Sequence, residues 1–252
     1  MDTKTILHTV KHRPYPLPDG PWIMQQAWHD LLFAHYPIAP AQLRPLLPTQ
    51  LPLDTYDDTC WVGIVPFSMT NVHPRGFFSV PWLSQFPELN VRTYVTVQGI
   101  PGVYFFSLEA GNPIAVSLAR RFFHLPYFNA AMHIQQVGDA FQYYSHRTHR
   151  GAPEADFIAR YRPTTSTVVL PEPGTLEHWF TERYCLYTVH RGQIYRGNIH
   201  HMRWPLQEAK WEVSRNTMAQ AHRLPLADTT PLLHFARLQE VLVWPLQRVQ
   251  QS

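Results

Sequence analysis

The sequence predicts an α+β fold dominated by strands, with a large antiparallel or mixed sheet curled around a core. Three observations carry this. The 24 prolines are spread along the 252 residues and punctuate short apolar segments, which favours strands and turns over long helices. The run Asn90–Gln98 alternates, with Val91, Thr93, Val95 and Val97 on one face and Arg92, Tyr94, Thr96 and Gln98 on the other. Helix signals are few and short. With no internal repeat and no linker rich in Gly or Ser, one domain over 22–248 follows an N-terminal tail, 1–21.

The elements follow in order. The segment WHDLLFAHY reads as a strand bounded by Pro37, and Pro40–Leu47 as one or two helical turns, with Pro40 suited to the first position and Pro45 keeping it short. Cys60–Met69 is a buried strand with a proline bend. After Asn90–Gln98, the residues Gly99-Ile100-Pro101-Gly102 read as a longer hairpin loop and Val103–Leu108 as its second strand. Asn112 is a favoured N-cap followed by Pro113, so a helix begins there. Ile114, Leu118 and Phe122 give it an apolar face, and it stops before Pro126. A second helix spans Thr175 to about Arg183, with Glu177 in its first turn and Arg183 in its last. Asp139–His146, Asp156–Tyr161, Trp211–Thr217 and Leu238–Trp244 read as strands.

Composition excludes several functions. Charged residues are only 15%, against about 25% in ordinary domains, and the formal net charge is +3 without a basic run. Nucleic-acid binding is therefore not expected. No stretch approaches the roughly 20 apolar residues of a membrane span, and the N-terminus lacks a signal-peptide core, so a cytoplasmic protein is expected. Cys60 and Cys185 sit among apolar neighbours and read as buried free thiols. Lysine is limited to Lys4, Lys11 and Lys210. Of the tryptophans, Trp22, Trp28 and Trp82 are candidates for exposure. Serine-nucleophile, P-loop and dinucleotide-binding motifs are lacking.

The polar residues that interrupt apolar segments are the candidates for function. In the run from Phe86 to Val95, Asn90, Arg92 and Tyr94 share a face, and Glu88 precedes them. In a curled sheet that face can line a cavity, where an arginine would bind a carboxylate bidentately. Arg120-Arg121 and Tyr127 follow on and after the first helix. Arg183-Tyr184 and His200-His201-Met202-Arg203-Trp204 supply further polar groups, and only one of the two histidines would enter a pocket if they lie on a strand. His146 and His149 lack the further ligands a metal needs, so neither metal nor cofactor is expected.

The segments WHDLLFAHYPI, LRPLLPTQLPLD, ELNVRTYV, GVYFFSLEA, ARRFFHLPYFNAAM, ERYCLY and HHMRWPL, spread over about residues 22–245, resemble the YqjF-like family of uncharacterised bacterial proteins. That family is grouped with the acetoacetate decarboxylase-like superfamily. The resemblance implies a cone-shaped β-barrel wrapped by additional strands, with few peripheral helices and a pocket at the barrel. It also makes a homo-oligomer an alternative to a monomer. The decarboxylase of the superfamily forms an imine through a lysine whose pKa a neighbouring cation lowers. Its lysine pair follows a helix in a pattern like G-R-E-x-x-G-x-P-K-K. In Ala119–Phe128 the arginine and proline match at Arg120 and Pro126, but the lysines are replaced by Tyr127 and Phe128. A phenol and a phenyl ring cannot form the imine. The catalytic glutamate falls near Asn90, with Glu88 two residues away.

Three readings follow. In the first, the barrel binds a small anionic or carbonyl-bearing molecule. Arg92 and Arg120 orient its acid group, Tyr127 and Tyr184 give walls and hydrogen bonds, and Asn90 and Trp204 complete the ligand-binding set. In the second, the chain is a lyase, isomerase or hydrolase that works without an imine, with Glu88 or His201 as general acid or base and Arg92 stabilising negative charge. In the third, these polar groups only satisfy one another in a structural or interaction protein, Arg92 pairing with Glu88 and leaving no cavity.

Overall fold

The structure is a computed structural model and describes residues 2–77, 84–226 and 229–250. Its strands are β1 (Met24–Ile38), β2 (Cys60–Pro74), β3 (Phe86–Val97), β4 (Ile100–Ala110), β5 (Tyr127–Val137), β6 (Ala140–Arg147), β7 (Asp156–Pro163), β8 (Cys185–His190), β9 (Gln193–His201), β10 (Leu206–Asn216) and β11 (Leu232–Arg248). Short peripheral helices are α1 (Thr3–His8), α2 (Pro40–Leu43), α3 (Pro113–Phe122) and α4 (Leu176–Thr181). No helix among the described residues is long and apolar enough to cross a membrane.

One sheet runs in the order β1-β2-β3-β4-β5-β6-β7-β10-β11-β9-β8, and the extra pairings β1–β11 and β4–β8 close it twice. Two strands fork to make this possible. β4 pairs with β8 at Val103–Tyr104 and with β5 at Leu108–Ala110. β11 pairs with β10 around Phe235 and with β9 from Val241 onward. The predominantly β, cone-like architecture is the one expected, although two closed circuits share β1–β4 and β11 where a simple barrel would have one.

The shared strands bury much of both faces, most completely in β2, whose Cys60–Phe67 is buried throughout and reads as a near-continuous apolar run. On one side Leu32 and Ala34 of β1, Val62 and Ile64 of β2, and Val91 and Val95 of β3 join the main core with Phe141, Phe157 and Phe235. On the other side Leu31 and Phe33, Val65 and Phe67, and the face of Glu88, Asn90 and Arg92 look toward the second circuit. Alternation therefore assigns the apolar residues of β3 to the core and its polar ones to the opposite face.

Several elements differ from expectation. The β3–β4 connection is a two-residue turn: Gln98 and Gly99 both have positive φ (52° and 76°), and Val97 faces Ile100. That is the type I′ geometry whose twist matches paired strands, so Ile100, Pro101 and Gly102 belong to β4 and not to a loop. Gly102 has its own reason, since a Cβ there would lie 2.7 Å from Cys185 Sγ and 2.8 Å from the Cys185 carbonyl oxygen. β8 can pair with β4 only because that side chain is missing.

Helix α3 begins as expected, with Asn112 accepting from the backbone N–H groups of Ile114 and Ala115 at 3.1 Å each. Its apolar stripe is not buried, however: Ile114, Leu118 and Phe122 are 49%, 48% and 61% exposed, and Val116 is the side chain turned inward. Helix α4 ends at Thr181, short of Arg183. The expected tail contains α1, capped by Asp2, whose Ile6 packs with Leu242 and Trp244. Trp22 and Trp28 are half-buried; Trp82 lies outside the described residues. Strands β5, β8 and β9 went unanticipated. β5 is largely exposed beyond Ala130 and so carries no strong apolar alternation.

Candidate functional site

A cavity of about 790 Å³ opens on the face of the sheet opposite the main core, bounded by strands of the second circuit and by α3. Its size suits a small organic ligand. Glu88, Asn90, Arg92, Tyr127, His201 and Trp204 line it; Arg120 and Tyr184 do not.

Glu88, Asn90 and Arg92 point the same way because they are two residues apart on β3, and the row spans roughly 13 Å at about 3.3 Å per residue. Glu88 is 3% exposed, and its Oε2 accepts the Tyr127 hydroxyl at 2.9 Å. Burial pushes its pKa up to about 8, the Tyr127 hydrogen bond pulling the other way and the nearby Glu109 adding to the rise. At neutral pH Glu88 is thus a carboxylic acid able to donate a proton. Burial also raises the Tyr127 phenol well above its ordinary value, with Glu88 adding to the effect. Tyr127 is therefore a neutral hydrogen-bonding group.

Arg92 sits against the Phe33 and Tyr94 rings, at 5.4 and 5.7 Å from their centroids, and Nη2 lies 3.4 Å from the Tyr94 hydroxyl. Its buried Nε has no hydrogen-bond partner, and neither has Asn90 Oδ1. Among the described residues no carboxylate lies within ion-pair distance of Arg92. Glu88 and Arg92 do not pair; each turns to a different tyrosine. Gly63 of β2 makes room for the guanidinium stem, since a Cβ there would lie 3.3 Å from Arg92 Cγ. Behind it His35 Nε2 lies 2.7 Å from the Tyr94 hydroxyl, in hydrogen-bond contact, and the ring stacks on Phe180 at 3.7 Å. Burial first, and Arg92 second, hold His35 well below its ordinary pKa, so it adds no second positive charge.

Arg183 is the other cation on the cavity wall, and it is neutralised. Nη1 makes an ion pair with Asp54, Nε donates to the Trp179 carbonyl at 2.6 Å, and the guanidinium lies 4.2 Å from the Trp179 ring.

His201 Nδ1 lies 2.8 Å from the Met202 carbonyl, and Nε2 lies 3.2 Å from the Arg183 carbonyl. Burial drives its pKa down to about 3. Both ring nitrogens are turned to the backbone, so the residue presents a flat ring edge to the cavity and not a free base. Tyr184 stacks behind it at 4.7 Å, with its hydroxyl on Glu182 and the Arg13 guanidinium 4.2 Å from its ring. Arg120 is exposed and donates Nη1 to the Tyr127 carbonyl at 2.6 Å, which fixes the backbone of Tyr127 from outside. Trp204 is buried edge-to-face with Phe33 at 4.9 Å. Phe128, next to Tyr127, covers a buried Arg147–Glu109 ion pair in the main core, with the guanidinium 4.2 Å from its ring. His146 pairs with Asp156 at 2.6 Å, and His149 Nδ1 accepts the Asn129 N–H. No group of three metal-ligating side chains converges among the described residues. All three lysines are exposed and none lines the cavity.

Of the partners, Tyr94 shares the expected face with Arg92, while His35 and Asp54 are the ones the sequence does not single out. His35 interrupts an apolar run at a position that alternates with Leu32 and Ala34, which is its one local signal.

The doubly closed sheet with a cavity beside its shared strands is an acetoacetate decarboxylase-like fold. Solved structures with this arrangement include the acetoacetate decarboxylase of Legionella pneumophila (TM-score 0.62, 12% identity, covering 95% of this chain and 93% of that one). An acetoacetate decarboxylase-like enzyme from Sphingomonas wittichii RW1 gives a TM-score of 0.58 at 14% identity, covering 96% of this chain and 98% of that one. The enduracididine biosynthesis enzyme MppR, solved in complex with pyruvate, gives 0.59 at 12% identity, covering 94% and 93%. At such identities the likeness is one of fold. The chain itself belongs to the DUF2071 family of uncharacterized conserved proteins, whose model matches residues 25–240. It is 48% identical over 232 residues to the uncharacterized protein YqjF of Bacillus subtilis strain 168, covering 92% of this chain and 95% of that one.

Proposed function

We propose that the cavity binds a small organic anion through Arg92, without forming an imine. One observation carries this reading: a guanidinium on a largely apolar cavity wall has no carboxylate partner among the described residues and keeps a buried Nε–H unused. An arginine so placed matches the planar, bidentate geometry of a carboxylate. Two residues away the Asn90 Oδ1, an acceptor, is also without a partner, so it suits a hydroxyl or other proton donor on the ligand and not the carboxylate itself. The pyruvate bound by the fold relative MppR is an acid of this class. An imine needs a lysine, and the position that resembles the decarboxylase lysine holds Tyr127.

A second reading, a non-imine enzyme, is favoured by Glu88. A carboxyl that keeps its proton to about pH 8 can act as general acid toward a ligand oxygen or carbon. Tyr127 would orient it and Arg92 would stabilise developing negative charge. The two readings share one site and differ only in turnover. Two buried free cysteines fit a reducing, cytoplasmic setting.

A thermal-shift panel of keto acids, hydroxy acids and their esters tests the reading. A ligand at about 100 times its Kd adds roughly 2.7 kcal/mol, and each kcal/mol raises Tm by roughly 2–4 °C in a chain of this size. Acids should shift Tm by several degrees, esters should not, and Arg92→Gln should abolish the shift while keeping the unliganded protein folded. Equal shifts with esters, or none with any acid, would overturn the reading.

A further inference from the structure

We infer that the ligand is an amphipathic monocarboxylic acid, with its carboxylate on Arg92 and an apolar body of about ten carbons or more reaching toward α3. This rests on the proposed role of Arg92 and adds the class of ligand. Three observations support it.

The first is volume. At about 30 Å³ for each water's share of liquid, a cavity of about 790 Å³ has room for some two dozen waters. A four-carbon keto acid has seven heavy atoms and would leave most of that space unfilled. Unfilled apolar walls forfeit the contacts a ligand would make.

The second is where the charge lies. Of the 35 described residues lining the cavity, three carry carboxyl or guanidinium groups: Glu88, Arg92 and Arg183. Glu88 is protonated at neutral pH, and Arg183 is paired with Asp54. Among the described residues that leaves one cation without a carboxylate partner, Arg92, and it packs among Phe33, His35 and Tyr94, each no more than 1% exposed. The remaining wall is made by side chains such as Trp28, Phe67, Met69, Phe86 and Leu186. A molecule with several charges would bury them without partners.

The third is the stripe on α3. Leu118 and Phe122 line the cavity yet are 48% and 61% exposed, so they lie at its mouth. Core packing does not account for an exposed apolar stripe there, whereas an apolar ligand body emerging past the helix would cover it. Along β3 the row from Arg92 to Glu88 spans roughly 13 Å, and Tyr127, bonded to Glu88, follows Phe122 by five residues. An extended chain of about ten carbons covers that distance at about 1.3 Å per bond.

The test is calorimetric titration of the protein with butanoate, hexanoate, octanoate, decanoate and dodecanoate, and with methyl decanoate. Burial of a methylene is worth about 0.8 kcal/mol, so the expected Kd falls roughly three- to fourfold per carbon and levels off near ten. Arg92→Gln should weaken every acid at least tenfold without changing that slope. Phe122→Ser, at a position 61% exposed, should weaken decanoate and dodecanoate several-fold more than it weakens butanoate. Acids that bind equally at all lengths would overturn the inference and leave the anion site standing. Failure of every acid, or equal binding of methyl decanoate, would overturn the anion site and the inference together.

Discussion

Replacing Glu88 by glutamine removes a titrating proton from the cavity wall while keeping the side chain's shape and its hydrogen-bonding oxygen. Glu88 is 3% exposed and its pKa is raised from 4.5 to about 8, chiefly by burial. Below pH 4.5 native and unfolded chains both hold the proton. Between 4.5 and 8 the unfolded chain releases it and the native chain does not, so the native state loses about 1.4 kcal/mol of relative stability for each pH unit. Above 8 the penalty is constant. At pH 7 it amounts to about 3 kcal/mol, which glutamine does not incur. Glu88→Gln is therefore expected to be more stable than the wild type by up to about 3 kcal/mol at pH 7, or roughly 6–12 °C in Tm. The gain should vanish near pH 4.5 and level off above pH 8. Urea unfolding of both proteins from pH 4 to 9 measures it, and taking the difference between them cancels the other carboxyls. A difference independent of pH, or a variant less stable at every pH, would refute the assignment of Glu88 as a buried neutral acid.

Tyr127→Phe removes the phenol that favours the ionised form of Glu88. The infrared band of the Glu88 carboxylate should then appear at higher pH than in the wild type, and stability at pH 7 should fall by about 1–2 kcal/mol. Gly102→Ala drives a Cβ to 2.7 Å from Cys185 Sγ and 2.8 Å from its carbonyl. It should cost about 1–3 kcal/mol in urea unfolding, because backbone has to move. Arg147→Met leaves Glu109, fully buried, without its cation. It should cost about 3–5 kcal/mol, most of which Glu109→Gln in the same chain should restore.

What the sequence reveals about this molecule depends on how local the determining contacts are. The alternation of β3 separates Val91 and Val95 from Asn90 and Arg92, and the structure puts those sets on opposite faces. The cap at Asn112 and the stop before Pro126 are local, and α3 follows them. Non-local contacts are a different matter. The apolar stripe of Ile114, Leu118 and Phe122 looks like a core face, yet the sheet closes elsewhere and leaves it exposed. Arg120 and Tyr184 share the chemistry of pocket residues. Arg120 turns back to the Tyr127 carbonyl, and Tyr184 is held by Arg13 from the distant N-terminal segment. His201 is at the wall, but its nitrogens meet backbone carbonyls that only the folded chain brings near. The double closure of the sheet depends on short pairings at the forks of β4 and β11, which have no periodic signature.

A crystal structure of the protein with decanoate would show directly whether Arg92 holds the anion. The carboxylate should lie within about 3 Å of the Arg92 guanidinium, with the apolar chain running toward Leu118 and Phe122 and no covalent bond to the protein. A ligand bound away from Arg92, or an Arg92 that turns to pair with an ionised Glu88 in the complex, would contradict that binding mode.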